Sequence, residues 1–281
     1  MNKVNMLSFD IEDWYHANYQ QVDVSACRSQ SFHFRENMYK LFEICAHNNA
    51  KATFFTLGTI AEDFPDIVRE IVAQGHELAS HGYSHELAYK QSAAEFRSDV
   101  LKSINILQDT AGVQIQGYRA PSWSIIKENL HYLAILQELG LKYDASIFPV
   151  KTFLYGIPDA PQKIHHPTVG GKQLELYEVP MSVASFFGKN IGYSGGFYLR
   201  LFPEFLIKHF INSNLKQNKY TILYLHPREL DPCEKRLELP FLENMIHYYN
   251  IGSTADKLHN LLNIGKFVSI AEYLNSYKSQ P

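Results

Sequence analysis

The feature that most limits the fold of this chain is a regular alternation of strand-like and helix-like segments. Apolar runs such as VNMLSF (residues 4–9) and KATFFTLG (51–58) precede segments with helical spacing of apolar residues, such as NMYKLFEICAH (37–47) and DIVREIVAQG (66–75). Repeated strand–helix units of about 30 residues predict parallel strands joined by crossover helices. About seven such strands favour a closed or nearly closed barrel over an open sheet.

Local patterns mark the ends of several elements. Ser92 and Glu95 match a capping box before a helical segment that ends at Gly112, and another helical segment ends at Gly140. Residues 150–175 are rich in Pro and Gly and predict a long ordered loop, whereas residues 231–265 have a weak helical period. We therefore expect residues 1–281 to form one α/β domain, with residues 231–281 as a C-terminal helical appendage.

The composition excludes several classes of protein. Charged residues make up 20% and the formal net charge is −3, which argues against a nucleic-acid binder or a polybasic membrane surface. The first residues, MNKVNMLSFD, lack the pattern of a secretory signal, and no stretch approaches 18 apolar residues. Cys27, Cys45 and Cys233 match neither a disulfide framework nor a zinc ribbon. We expect reduced thiols in a cytoplasmic protein without a transmembrane segment.

The first apolar run ends in three carboxylates, Asp10, Glu12 and Asp13, within four positions. Carboxylates packed at one strand tip repel each other unless a cation or a proton offsets their charge. The cluster therefore predicts either a solvated loop or one half of a metal site, and the residues at the other strand ends must decide.

The segment SHGYSH supplies two histidines four residues apart, His81 and His85. This spacing places two imidazoles on one side of a helical turn, where both reach one metal ion. Imidazole suits zinc, cobalt, nickel and iron, and an acidic third ligand leaves positions open for water. The alternative is two surface histidines that bind no metal. The metal site is favoured over it, because the carboxylates at another strand end could supply the third ligand.

Two further polar residues follow apolar runs: Arg119 in GYRAPSW and His226 in LYLHPREL. The carboxyl ends of parallel barrel strands meet at one face, so these side chains are expected in the same pocket as Asp10 and His81. Arg119 would hold a catalytic carboxylate by a bidentate contact. Taken singly, each is equally well explained as a surface arginine or a hydrogen-bonded core histidine.

These segments together resemble the polysaccharide deacetylases of the NodB-homology type, carbohydrate esterase family 4. The resemblance runs from residue 5 to about residue 228 and rests on six segments in order: LSFDIED, KATFFTLG, GHELASHGYSH, YRAPSW, YDASIFP and YLHP. Within the family, DIEDWYH, GGFYLRLFP and YLHPRELDP resemble the subgroup linked to exopolysaccharide and surface-glycan gene clusters. The resemblance implies a distorted (β/α)7 barrel and metal-dependent hydrolysis of N-acetyl groups from amino sugars.

The resemblance also implies a role for each site residue. Asp10 would be the base, Arg119 its partner and His226 the acid, with Asp144 as the expected carboxylate beside His226. A divalent metal, most commonly zinc, with cobalt, nickel or iron as alternatives, would be held by His81, His85 and one carboxylate. The family motif has adjacent aspartates, which this chain lacks; Asp13 is preferred as that ligand and Glu12 is the alternative. The expected substrate-binding residues are Pro121, Ser122, Trp123, Asp144 and Ser146, with an oxyanion donor near Ser122.

Three functions stay open from the sequence. The first is removal of N-acetyl groups from a glycan or from a lipid-linked or nucleotide-linked sugar precursor, with peripheral membrane contact. The second is a related metal-dependent amide hydrolase that acts on a non-glycan substrate. The third is a glycan-binding protein without turnover, which the retention of both Asp10 and His226 argues against.

Overall fold

The computed structural model describes residues 4–18, 27–28, 33–152, 155–186, 188–217, 219–234 and 236–278. The strands of this part are β1 Val4–Ile11, β2 Thr53–Thr56, β3 Glu77–Ser80, β4 Gly117–Tyr118, β5 Tyr143–Asp144, β6 Thr168–Val169, β7 Lys172–Gln173, β8 Tyr177–Glu178, β9 Val183–Phe186, β10 Lys189–Gly192, β11 Ile222–Leu225 and β12 Lys266–Val268. The α-helices are α1 Phe34–His47, α2 Gly58–Asp63, α3 Pro65–Ala73, α4 Ala93–Ala111, α5 Tyr132–Glu138, α6 Gly196–Leu201, α7 Glu204–Lys216, α8 Phe241–Tyr248, α9 Thr254–Leu262 and α10 Ile270–Lys278.

The central sheet is a curled half-barrel of parallel strands, which confirms the expected fold. Its strands follow the order β11–β1–β2–β3–β4–β5–β8, and β12 also pairs with β1. Near the two ends of this path, the Oγ of Ser182, which follows β8, accepts a hydrogen bond from Ile222 N of β11 at 2.9 Å. The two hairpins β6–β7 and β9–β10 lie outside the sheet.

β1 shows how the sequence divides between the two sides of the sheet. Leu7, Phe9 and Ile11 belong to the apolar cluster packed under the helices, whereas Met6 belongs to the cluster on the other side. Successive side chains of a strand point to opposite faces, so Ser8 and Asp10 share the side of Met6. The alternation therefore turns the carboxylate of Asp10 into the barrel.

The predicted helix signals are confirmed at α4 and α5. Glu95 N donates to Ser92 Oγ at 3.3 Å and Ser92 N donates to Glu95 Oε2 at 2.8 Å, which is the expected capping box. Gly112 follows α4 with a φ of 69°, and Gly140 follows α5 with a φ of 86°. Both glycines adopt a left-handed conformation that costs other residues energy.

Helices α8, α9 and α10 lie in the segment that starts at residue 231, as expected, but the described residues of 231–240 carry no helix and Lys266–Val268 form β12. This strand pairs with the first half of β1, Val4–Met6, inside the central sheet. The division of residues 1–281 into one domain with residues 231–281 as an appendage stays a prediction. The three cysteines are unpaired, and none of the helices in the described ranges is long and apolar enough to cross a bilayer.

Candidate functional site

The parallel strands bring polar side chains from distant parts of the chain to one edge of the sheet. Asp10 lies near the end of β1, His81 directly follows β3, and Arg119 directly follows β4. His226 directly follows β11, which pairs with β1. These four sequence-predicted residues therefore meet at the carboxyl end of the sheet, where parallel barrels place their sites.

Glu12, His81 and His85 form a group in which one ligand atom from each residue lies within 4.8 Å of the others. Glu12 Oε2 is 2.5 Å from His85 Nε2 and 4.0 Å from His81 Nε2. All three side chains are buried. Burial opposes the charged form of Glu12, but the neighbouring imidazoles, His85 above all, outweigh it and lower the pKa of this carboxyl well below its ordinary value.

The contacts of His81 suit a metal ligand. Its Nδ1 lies 2.8 Å from the carbonyl oxygen of Arg119; a carbonyl only accepts, so Nδ1 carries the proton and Nε2 presents a lone pair to the group. Burial lowers the pKa of His81 to about 4, which keeps the ring neutral near pH 7. Two imidazoles and one carboxylate are a donor set that fits zinc and related divalent cations.

The loop between the two histidines is not the helical turn that their spacing predicted. Residues 81–85 carry no helix, and both Gly82 and His85 adopt positive φ values, 82° and 64°. Asp99 of α4 accepts a hydrogen bond from Tyr83 N at 2.9 Å and lies 2.9 Å from where a Cβ on Gly82 would stand. A bend held by Asp99 therefore brings the two imidazoles together, with ring centroids 5.4 Å apart.

Asp13, which we preferred over Glu12 as the carboxylate ligand, lies outside this group among the described residues. Its Oδ1 accepts a hydrogen bond from Trp14 N at 2.8 Å, and its backbone N–H donates to Nδ1 of His16 at 3.1 Å. Asp13 thus caps the short 3₁₀ helix Trp14–His16. We therefore replace Asp13 by Glu12 as the candidate ligand.

Arg119 pairs with Asp10, as expected from the sequence, but through Nη1 alone and not by the predicted bidentate contact. Its Nη1 lies 2.6 Å from Asp10 Oδ1 and 2.9 Å from Ser8 Oγ, and the guanidinium is fully buried. The planar group also lies over the ring of Phe55, at 4.1 Å from the ring centroid. The pairing and the stacking together fix the orientation of the Asp10 carboxylate.

His226 faces Asp10 and Glu12 with one ring nitrogen and Glu229 with the other. Its Nε2 is 4.0 Å from Asp10 Oδ2 and 3.7 Å from Glu12 Oε1, and its Nδ1 is 2.8 Å from Glu229 Oε2. Burial favours the neutral ring, but the carboxylates of Glu12 and Glu229 outweigh it and raise the pKa of His226. Glu229 is therefore the partner of His226, and the expectation of Asp144 in this place is wrong, because Asp144 bonds to Ser146 instead.

A cavity of about 280 Å³ opens onto these groups. It is lined by Asp10, Glu12, His81, His85 and His226, and by the aromatic residues Trp123, Tyr155, Phe197, Tyr198 and Tyr224. Of the five predicted substrate-binding residues, Ser122 and Trp123 line the cavity. The other three are buried outside its lining: Pro121, Asp144 and Ser146.

Asp144 and Ser146 support the cavity wall from behind. Ser146 Oγ accepts a hydrogen bond from Ala120 N at 2.8 Å and donates one to Asp144 Oδ1 at 2.6 Å. The supported loop is strained, since Ser122 and Trp123 have φ values of 49° and 55°. Consecutive left-handed residues other than glycine cost energy and gather at functional sites, which fits the place of this loop at the cavity.

Comparison with known proteins identifies the family. Residues 3–143 match the family model described as polysaccharide deacetylase, which is half of the chain. The chain belongs to the polysaccharide deacetylase family. Residues 145–275 match a second model, described only as a domain of unknown function (DUF3473). The resemblance found from the sequence motifs is thus confirmed at the level of the family.

Two curated relatives of this member of the polysaccharide deacetylase family each match only part of the chain. It is 37% identical over 93 residues to the peptidoglycan-N-acetylglucosamine deacetylase of Bacillus cereus, covering 33% of this chain and 34% of that protein. It is 29% identical over 152 residues to the peptidoglycan deacetylase of Helicobacter pylori, covering 50% and 51%. The chain thus spans about a third to a half of the length of these curated relatives.

A solved structure matches over nearly the whole length. A crystal structure described as a polysaccharide deacetylase from Mycobacterium smegmatis covers 100% of this chain and 93% of that chain, with a TM-score of 0.62 and 19% identity. At this identity the likeness concerns the fold, and it supports the barrel described above.

Residues 145–275, which match the second model, supply much of the candidate site. His226, Glu229 and four of the five cavity aromatics lie within residues 145–275. Sequence reasoning missed Glu229, although its place three residues after His226, at the start of the 3₁₀ helix Pro227–Leu230, matches a capping box. It also missed Asn18, whose side-chain amide lies 3.0 Å from His85 Nδ1, and this residue has no local motif.

Proposed function

We propose that this protein is a metal-dependent deacetylase that removes N-acetyl groups from an amino sugar in a polysaccharide or glycan precursor. The observation that carries the proposal is the convergence of Glu12, His81 and His85 with Asp10 and His226 at one cavity. Membership of the polysaccharide deacetylase family and the names of its peptidoglycan-acting relatives support the choice of substrate.

In this proposal Asp10 and His226 act as the base and the acid. The oxygen of a water molecule attacks the acetyl carbonyl carbon, and Asp10 accepts the proton that this water loses. His226 then donates its Nε2 proton to the sugar nitrogen as the carbon–nitrogen bond breaks, which yields acetate and a free amine. The facing groups, with Asp10 Oδ2 4.0 Å from His226 Nε2, support this assignment.

Arg119 and Glu229 keep the two catalytic side chains in place. Arg119 holds Asp10 Oδ1 and so leaves Oδ2 turned toward His226. Glu229 accepts the Nδ1 proton of His226, which reserves Nε2 for proton transfer. Each proton-transfer group thus has one side fixed by the protein and one side facing the cavity.

Glu12, His81 and His85 would hold the divalent cation, with zinc the first choice. Such a cation supplies a Lewis acid for the carbonyl and lowers the pKa of water from about 16 to about 7. Imidazole ligands also admit cobalt, nickel and iron. Metal analysis of the purified protein, before and after dialysis against a chelator, identifies the metal.

The cavity suits one sugar unit of an N-acetylated glycan. Its five aromatic rings offer apolar faces against which a pyranose ring stacks, next to the polar groups that would act on the acetyl group. The exopolysaccharide subgroup is part of the proposal and rests on the motifs of the chain alone. A cytoplasmic location is also proposed, and with it a nucleotide-linked or lipid-linked precursor as the substrate.

The test is acetate release from N-acetylated peptidoglycan fragments and chito-oligosaccharides, with product mass as a second readout. We expect each removed acetyl group to lower the mass by about 42 Da, and we expect Asp10→Asn to slow this change about 10²–10⁴-fold. Hydrolysis of small non-sugar amides without activity on any glycan would indicate the alternative amide hydrolase. Glycan binding without acetate release would indicate a protein that only binds.

A further inference from the structure

Glu229 holds the candidate acid at two points. Its Oε2 is 2.8 Å from His226 Nδ1 and accepts a second hydrogen bond from His226 N at 3.0 Å. The carboxylate is fully buried, and a buried charge needs a partner of opposite sign. The position of the imidazole therefore depends on whatever holds Glu229.

That partner is Arg200 of α6. Its Nε donates to Glu229 Oε1 at 2.7 Å, and its side chain is 1% exposed. Among the described residues, Arg200 and Arg119 are the two arginines that are fully buried. Each pairs with a carboxylate of the site, Arg119 with the base and Arg200 with the carboxylate that holds the acid.

The other nitrogens of Arg200 bind the end of α8. Nη1 donates to the carbonyl oxygens of Tyr249 at 2.6 Å and His247 at 3.2 Å, and Nη2 donates to that of Ile246 at 2.8 Å. The last carbonyls of a helix lack partners within the helix and attract cations. The guanidinium of Arg200 thus binds carbonyl oxygens at the end of α8 and also balances the charge of Glu229.

The backbone of Arg200 is fixed by the same part of the chain. Its carbonyl oxygen accepts hydrogen bonds from Asn250 Nδ2 at 3.2 Å and from Lys257 Nζ at 3.3 Å. Lys257 Nζ also donates to Leu199 O at 3.0 Å and Phe202 O at 3.0 Å. Asn250 and Lys257, which follow α8, therefore fix the position of the Arg200 backbone and with it that of the guanidinium.

We propose that Arg200 is a positioning residue that links α8 to the acid His226 through Glu229. The proposal rests on the proposed function and goes beyond it by giving α6, α8 and the segment between α8 and α9 a role in the proton-transfer step. Lysine does not replace this arginine, because one ammonium cannot form the planar set of contacts to a carboxylate and three carbonyls.

The link predicts a loss that depends on the leaving group. A sugar amine must receive a proton from His226 before it leaves, whereas the nitrophenolate of nitrophenyl acetate leaves without one. A variant that misplaces only the acid should therefore lose amide hydrolysis and keep ester hydrolysis. General damage to the cavity would lower both.

The experiment compares Arg200→Lys with the wild type on an N-acetylated chito-oligosaccharide and on nitrophenyl acetate. We expect kcat for the amide to fall on the order of 10–100-fold, part of the 10²–10⁴ that a positioned acid contributes. KM and the ester rate should stay within about threefold. Equal losses on both substrates, or unchanged amide turnover, would overturn the proposal.

Two further variants guard against a folding defect. Glu229→Gln breaks the link but leaves Arg200 on the carbonyls of α8, so it should show the same amide-selective loss without faster amide hydrogen exchange in α8. Arg200→Lys should show both effects. Arg236→Lys is the matched control, because Arg236 lies over the ring of Tyr248 on α8, 4.2 Å from its centroid, and is exposed; it should change neither rate.

A readout without turnover separates this proposal from the proposed function. If the wild type releases no acetate from any N-acetylated sugar, the proposed function fails. Nitrogen-15 NMR of the His226 ring, assigned with His226→Gln, then tests the link alone. Wild type should carry the proton of the neutral ring on Nδ1, and Arg200→Lys should move it partly to Nε2; an unchanged spectrum would overturn the link.

Discussion

Replacing Glu12 and Asp13 one at a time should show which carboxylate binds the metal. Glu12→Gln keeps the size of the side chain but removes the charge that lies 2.5 Å from His85 Nε2 and 4.0 Å from His81 Nε2. Removing a residue that contacts a metal ligand, but does not itself bind the metal, lowers metal affinity 10–100-fold. Loss of a ligand charge should cost at least about 100-fold, or about 2.7 kcal/mol.

Asp13→Asn is the matched comparison in the same loop. The amide oxygen of asparagine still accepts the hydrogen bond from Trp14 N, which is 2.8 Å long, and asparagine caps helices as well as aspartate does. We expect metal affinity within about threefold of the wild type and a free energy of unfolding within about 0.5 kcal/mol.

The assay is titration of the chelator-treated protein with zinc, followed by calorimetry or by metal content after dialysis. Each variant is compared with the wild type at the same pH, because protons compete for the imidazoles. Equal or greater loss of affinity in Asp13→Asn than in Glu12→Gln would refute the assignment of Glu12.

Three further predictions concern proton transfer and stability. Asp10→Asn should lower turnover about 10²–10⁴-fold and leave the metal content unchanged, as measured by acetate release and metal analysis. The carboxylates around His226 raise its pKa, so Glu229→Gln should move the alkaline fall of the amide rate, where the acid loses its proton, to lower pH; an unmoved profile would argue against the contact. Burial raises the pKa of Glu234 to about 8 beside His247, so the folded protein keeps this carboxyl protonated while the unfolded chain ionises it above about pH 4.5. The free energy of unfolding of the wild type should therefore fall as the pH rises from about 5 to about 8, whereas that of Glu234→Gln should not. The variant should gain at most about 5 kcal/mol relative to the wild type over this range. A difference between the two in urea unfolding that stays constant with pH would contradict this.

The barrel and the strand-end residues follow from short-range patterns in the sequence. Alternating strand and helix segments fix parallel pairing, and parallel pairing alone brings Asp10, His81, Arg119 and His226 to one edge. The sequence could also have decided between Glu12 and Asp13 as the candidate metal ligand. Asp10 and Glu12 are two residues apart, and side chains two apart share a face of an extended chain.

Other parts of the site depend on contacts that no local pattern reveals. The bend between His81 and His85 is held by Asp99, which lies on a helix 16 residues after Tyr83. Arg200 reaches Glu229 across 29 residues of sequence. Such pairs are set by how the helices pack on the sheet, so a single sequence shows their residue types and not their partners.

The pairing of β1 has a consequence for how the protein is made on the ribosome. β1 carries Asp10, yet it pairs with β11 and β12 as well as with β2, and the contact between Ser8 and Leu223 spans 215 residues. Closing a loop of that length is slow, and an unpaired strand edge invites aggregation. β1 must therefore wait for β11, so a nascent chain cannot assemble its reaction centre until translation has passed His226 and Glu229, and a fragment ending at residue 143 should need a chaperone to remain in solution.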